Sequence, residues 1–382
     1  MLASLAVAAV GCGGSSPLPA VGDGSVGHDA GARSDAALEN DAAKGTPDAG
    51  ASDAGAADAG GAFDAGGASD AGAASDAGGA GACAVPLAPD LSVIADDEVL
   101  KFVASDGSPV EIAVFPADAS VSTAVFQPGS SLGLGGLSGL TRVLARTTAT
   151  GCLQAPFDAV YDVRATYAPA PPDPTTTAVA YDDPRIVAWA TGVASYLPGP
   201  GVTDAQFMMP TEALGPAGTD TLAVVSLGNG GTITLTFGAP ITDGESWDFA
   251  VYENSFASDV FLELGFVEVS SDGTHFARFD SAFAGSVTPG PNASGTAAQI
   301  GGLAGSYMVG YGTPFDLAAL RNAPLVRAGA VDLTSIKYVR VVDIVGDGTT
   351  LDSFGRGIVD PLSSGPTAGF DLDGVAVLNQ RP

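Results

Sequence analysis

The sequence predicts an all-β fold, with a C-terminal β-sandwich, a smaller β-sandwich before it and a long N-terminal tether. Three observations carry that expectation. Glycine and proline are abundant, at 53 and 26 of 382 residues, which suits short strands and tight turns and works against long helices. Beyond the tether, the apolar residues fall in short runs rich in Val, Ile, Leu and Phe. Gly, Asn and Asp punctuate those runs at the places where turns need them.

Taken in chain order, Leu2 to Val10 is apolar, ends in small residues and stops just before Cys12. This is the pattern of a cleaved export signal, and the run is too short for a membrane span. The tetrapeptide Ala9-Val10-Gly11-Cys12 resembles a bacterial lipobox, although it opens with Ala where Leu is usual and no Lys or Arg precedes the run. The resemblance implies a diacylglyceryl group on Cys12 and attachment to a membrane through that lipid. It also implies a place at the outer membrane or cell surface, because Gly13 stands where an Asp would favour inner-membrane retention. The alternative is a fortuitous cysteine after small residues. Beyond Cys12 only Cys83 and Cys152 remain, and in an oxidising compartment an even pair predicts one disulfide; two separately buried thiols are the alternative.

Residues 13–82 are nearly all Ala, Gly, Asp and Ser, and Asp recurs about every six residues from Asp23 to Asp76. Such a segment cannot bury a core, and evenly spaced like charge keeps it extended, so it is expected to be a disordered spacer. Its composition is similar to that of tracts behind the lipobox of many myxobacterial lipoproteins. A calcium-binding repeat needs denser alternating ligands than these.

Residues 83–167 hold five strand-like runs: Leu91 to Ala95, Val99 to Ala104, Val110 to Phe115, Leu140 to Arg146 and Ala159 to Tyr167. Asp106-Gly107 is a hairpin signal between two of them. The module resembles the immunoglobulin-like β-sandwiches that space out bacterial surface proteins. Residues 168–176 are proline-rich and predict a stiff extended linker.

Residues 177–382 are long enough for one sandwich of about eight or more strands. Gly228-Asn229-Gly230-Gly231 between Thr221 to Leu227 and Thr232 to Phe237 predicts a hairpin. Further strands are expected at Trp247 to Glu253, Val260 to Ser270, His275 to Phe279, Ile336 to Val345 and Gly374 to Leu378. Leu262, Leu264 and Phe266 share one face, whereas Val267 and Val269 continue on the other, which predicts a β-bulge between Phe266 and Val267.

The segment Phe266-Val-Glu-Val-Ser-Ser-Asp-Gly-Thr-His-Phe276 resembles galactose-binding-like jelly rolls, the architecture of many carbohydrate-binding modules. Five ordered blocks are similar to an uncharacterised family of bacterial cell-surface lipoproteins: Ser226 to Phe237, Asp248 to Phe256, Leu303 to Leu317, Val339 to Gly348 and Gly369 to Val375. These resemblances imply a jelly-roll sandwich and a carbohydrate ligand, and transfer no catalytic activity.

The formal charge is −29 with only 15% charged residues. That excess of acid repels phosphate backbones, so nucleic acid is not an expected partner, whereas divalent cations are. Asp343, Asp347, Asp371 and Asp373, with Glu253, sit at predicted strand ends or turns in the recognised blocks. Hard oxygen ligands from separate loops suit Ca²⁺; the alternative is that these acids serve turns and solvent. Trp189, Tyr196, Tyr307 and Tyr311 stand in or beside Gly- and Pro-rich loops and are candidates for a ligand surface, or else plugs for the sandwich ends. Two histidines, His28 and His275, exclude a histidine-rich metal site, and a carboxylate pair such as Glu253 with Glu263 or Glu268 is the remaining catalytic option. The expectation is a non-catalytic binding module. A structural or adhesive surface protein is the second reading, and a distant resemblance to surface lipoproteins that capture cobalamin supplies a third.

Overall fold

The computed structural model describes residues 84–381 apart from 151–155, 256–260, 287, 291–294 and 363–364. The expectations for Cys12, for the 13–82 tether and for a Cys83–Cys152 disulfide lie outside the described residues. Those described are almost entirely strand, turn and loop, and they fall in one compact unit. Among them no helix is long and apolar enough to cross a membrane.

The C-terminal half is a β-sandwich of two antiparallel sheets. One runs in the order Val179–Ala180, Tyr311–Phe315, Phe249–Glu253, Asp371–Val377, Ala188–Trp189, with Val225–Ser226 also pairing Asp371–Val377. The other runs Gly192–Leu197, Thr232–Ile241, Ile336–Asp343, Gly265–Ser270, Ala277–Arg278. Period-two alternation sends Val251, Val375 and Val377 from one sheet, and Leu235, Val267, Val339 and Val341 from the other, into a shared core. Each such side chain contributes about 1.5–3 kcal/mol on burial.

Four expectations need correction. Gly265–Ser270 pairs with Ile336–Asp343 in unbroken register, so no bulge separates Phe266 from Val267. The apparent slip in its pattern arises because both faces are covered: Val267 and Val269 face the sandwich core, whereas Phe266 joins Leu262, Leu264 and Ile358 in a second cluster outside the sheet. The Gly228 to Gly231 turn forms, with the Gly231 N–H donating to the Gly228 carbonyl, but it is not a hairpin. Val225–Ser226 and Thr232–Ile241 belong to different sheets, so the turn carries the chain across the sandwich, using φ of 71° at Gly228 and 74° at Gly230. At Asp106-Gly107 the turn likewise closes, Gly107 N–H to Ala104 carbonyl, while the strands it joins pair elsewhere. Residues 168–176 make two successive turns in place of a straight rod, closed by Asp173 to Ala170 and Thr176 to Asp173 backbone bonds. The Asp173 carboxylate also accepts from the N–H and hydroxyl of Thr175, and this local alternative outcompetes extension.

The preceding module is a five-stranded sheet in the order Val93–Ala95, Phe157–Arg164, Gly139–Thr147, Val110–Pro116, Gln127–Pro128. The first pair is parallel. Two short ladders, Pro86–Leu87 with Val103–Ala104 and Val99–Lys101 with Ser131–Gly133, complete it. Phe102 meets Phe157 edge-on at 5.2 Å in its core. That core is finished by the sandwich, which supplies Ala282 and, at its margin, Phe354.

Polar ties accompany this shared core. The Arg356 guanidinium reaches Glu98 Oε1 and Asp352 Oδ2, both at 2.8 Å, and Tyr167 donates its hydroxyl to the same Glu98 oxygen at 2.8 Å. Asp90 accepts from Asn322 at 2.8 Å, and its N–H donates to Asp280 at 2.9 Å. Charge is tolerated at Glu98 and Asp352 because each meets the Arg356 cation, whereas burial raises the carboxyls of Asp90 and Asp280 and favours their neutral forms.

Candidate functional site

The junction of the two modules opens into a groove of about 810 Å³. Alternation along Phe157–Arg164 builds one wall: Phe157, Ala159, Tyr161 and Val163 point into the small module's core, so Asp158, Asp162 and Arg164 are left facing the groove. Arg142, on the neighbouring strand, closes on Asp158 with two parallel bonds, Nε to Oδ1 at 2.7 Å and Nη2 to Oδ2. Arg164 Nε bonds Asp162 at 2.8 Å, and Nη1 donates to the Thr175 carbonyl at 2.7 Å.

The sandwich supplies the opposite wall. Trp247 stands half-buried on the loop entering Phe249–Glu253 and is the one aromatic side chain among the described residues lining this groove. Asp248 holds that loop in shape: it accepts from Gly244 N–H and Asn379 Nδ2, each at 2.9 Å, and from Leu317 N–H at 2.8 Å. Burial outweighs those donors and pushes the Asp248 carboxyl up to about 7. Asp316 caps the single helical turn Leu317–Leu320 through the Ala318 N–H, and burial raises it as well. Arg321, Asn322 and Arg327 follow from that turn and the next. Arg321 pairs with Asp243 at 2.9 Å, and Arg327 donates to the Pro156 carbonyl.

Carboxylate oxygens of Asp243, Asp248 and Asp316 come within 4.8 Å of one another, a hard-oxygen set that sequence reasoning did not single out. The sequence-predicted acids are arranged otherwise. Asp343 accepts from the Gly230 and Phe370 N–H groups, both at 2.7 Å, and burial, with Asp371 nearby, raises it to about 7. Asp371 accepts from the Ser226 hydroxyl and is raised by burial to about 6. Glu253 accepts from Ser255 N–H at 2.8 Å; burial first, then the charges of Glu263 and Asp371, hold it well above the carboxylate range. The charge of Asp371 thus bears on both Asp343 and Glu253. Asp373 faces Gly218 N–H at 2.9 Å, raised by burial to about 6, and Asp347 is exposed and occupied with Thr349.

The predicted aromatics do not line the groove. Trp189 packs on Tyr252 at 5.2 Å, and Tyr196 donates to the Ser226 carbonyl at 2.7 Å. Tyr307 is buried, with its hydroxyl 2.9 Å from that of Thr177, and lines a separate small cavity next door. Tyr311 sits half-buried in a strand paired with Val179–Ala180. Glu268, of the carboxylate pair weighed as a catalytic option, is engaged by Arg278 and Arg340, and His275 pairs with Asp272 at an exposed turn.

Sequence reasoning missed Trp247 and the groove arginines. The available signal was the scarcity of base: of 14 Lys and Arg in the chain, four line this one space.

Fold and site together define an all-β, sandwich-type protein with a polar groove between its modules. No protein-family model matches the chain, and no curated protein matches it. Among solved structures it is similar to one described as "Structural basis for the promiscuous specificity of the carbohydrate-binding modules from the beta-sandwich super family", at 10% identity and a TM-score of 0.14, over 78% of this chain and 93% of that one. A likeness at that TM-score carries no argument about function.

Proposed function

We propose that this protein is a surface-anchored, non-catalytic module that binds carbohydrate and is stabilised by Ca²⁺. One observation carries the ligand class: the groove offers a single indole at Trp247 flanked by guanidinium and carboxylate groups already held in place by one another. An apolar platform with a few fixed donors and acceptors is the chemistry that orients a polyhydroxylated ring. The buried position of Glu253 and Glu263 favours a role in holding the fold over one in hydrolysis. For Ca²⁺ the candidate ligands are Glu253, Asp343 and Asp371, with Asp347 and Asp373 at greater remove; a cation would offset the repulsion among acids whose ionisation burial already opposes.

Attachment through a lipid on Cys12, at the outer membrane or cell surface, rests on the lipobox resemblance. Membership of the bacterial surface-lipoprotein family rests on the five sequence blocks. Glycan-array screening of the full chain, followed by titration of the best ligand, tests the ligand class. Retention of no glycan favours the structural or adhesive reading, and retention of cobalamin instead would replace it. Metabolic labelling with a palmitate analogue should mark the wild type and not Cys12→Ala.

A further inference from the structure

We infer that the groove selects neutral glycans and turns away carboxylated or sulfated ones; this rests on the carbohydrate reading above and adds the charge class of the ligand.

Four arginines beside a ligand space suggest an anion site at first sight, and the pairing pattern argues otherwise. Arg142 is closed on Asp158 by two parallel bonds. Arg164 is closed on Asp162 and on the Thr175 carbonyl, and Arg321 on Asp243. An anionic sugar would have to displace a carboxylate from one of these, giving up a charge-assisted pair to make another. Among the described residues of the groove, Arg327 is the one arginine without a carboxylate partner, and it bonds the Pro156 carbonyl. Burial raises the carboxyls of Asp90 and Asp316, so neither of these offers an anionic sugar a cation, and Glu245 faces the same space without a cation partner. The chain's net −29 adds a long-range field of the same sign.

A neutral ring meets no such cost. Its vicinal hydroxyls donate to the free lone pairs of Asp158 and Asp162 and accept from the remaining guanidinium N–H groups, so each ion pair stays intact while serving as a prepositioned donor and acceptor. Trp247 takes the apolar C–H face of the same ring. Because both walls are tied together by Arg356 with Glu98 and by Asn322 with Asp90, these groups are placed before the ligand arrives, which reduces the cost of ordering.

The pair Arg164–Asp162 supplies a gain-of-binding test. Asp162→Asn leaves Arg164 an uncompensated cation at the groove, and both side chains are part-exposed, at 29% and 27%, so the fold tolerates the change. The full chain is applied to an array of matched glycans differing only in a carboxylate or sulfate, and the best ligands are titrated at low and high salt against wild type, Trp247→Ala and Asp162→Asn. Expected are retention of the neutral member of each pair, little dependence on salt, a loss of about tenfold or more for Trp247→Ala with an unchanged melting temperature, and new binding of the acidic member by Asp162→Asn. Preference of the wild type for the acidic members, weakening with salt, overturns the charge inference and leaves the carbohydrate reading standing. Retention of no glycan overturns both. Neutral binding that Trp247→Ala leaves unchanged removes the groove as the site.

Discussion

Replacing Arg356 by Met tests whether the two modules are one folding unit. Among the described residues, the guanidinium is the only cation paired with two buried carboxylates, Glu98 with 8% and Asp352 with 0% of its side chain exposed. Removing one member of a buried ion pair costs about 3–5 kcal/mol, because the remaining charge is stranded. Two features place this case at the low end. Glu98 keeps the Tyr167 hydroxyl, and Asp352 keeps backbone N–H donors from Phe283, Phe354 and residue 356. Arg356 itself is 31% exposed, so solvent already screens part of the attraction. The expected loss is therefore about 3 kcal/mol, which at about 2 °C per kcal/mol for a unit of this size lowers Tm by about 6 °C. Scanning calorimetry of the full chain should show a single transition in both proteins. Adding Glu98→Gln to Arg356→Met removes one stranded charge and should recover at least about 1 kcal/mol through coupling. A shift within about 1 °C, the scatter of ordinary surface changes, or two separate wild-type transitions, would refute the reasoning.

Three other outcomes follow from the same structure. In EDTA, the contribution of Asp248, Asp343, Asp371 and Asp373 to stability should decline as pH rises from about 4 to 7: their carboxyls are raised to about 6 or 7 in the folded state, so the contribution is complete below the unfolded value near 4 and gone once pH has passed the folded values. Thermal melts across that range check it, and Asp373→Asn, whose amide oxygen still accepts the Gly218 N–H, should flatten part of the slope. At pH 8, Ca²⁺ should raise Tm relative to EDTA, the added stability reaching about 2.7 kcal/mol at a hundredfold excess over its Kd, and Asp371→Asn should remove that difference; identical wild-type curves count against the cation. Gly228→Ala should prevent stable folding, since a Cβ there falls onto the Gly199 carbonyl at a φ of 71°, and a soluble, cooperatively melting variant would contradict this.

Strands were the legible part of the sequence, and strand partners were not. Phe157–Arg164 announces itself by alternation, and so does the inward face of Ile336–Asp343. Gly228 to Gly231 and Asp106-Gly107 carry the residues of a hairpin, yet positive φ only permits a reversal; which sheet receives the next strand depends on cores assembled from distant segments. Gly265–Ser270 looked slipped because a strand buried on both faces has no polar side to mark its register. The acids show a related limit. A strand-end Asp looks the same in sequence whatever it holds, and only the fold shows that the two oxygens of Asp343 accept from residues 230 and 370. The groove was out of reach of local patterns altogether, being composed around residues 142, 164, 247 and 321, which no short-range signal relates.

The core shared between modules sets a schedule for the chain's synthesis. The small module's strand Val93–Ala95 pairs in parallel with Phe157–Arg164, its hydrophobic interior is completed by Ala282 and Phe354, and Asp90 is met by Asn322, separated from it by 232 positions. Most of that interior comes from residues 91–167, so the small module can gather early, but it reaches its full stability only once residues 282, 322 and 354 have been added, because contacts so distant in sequence form last.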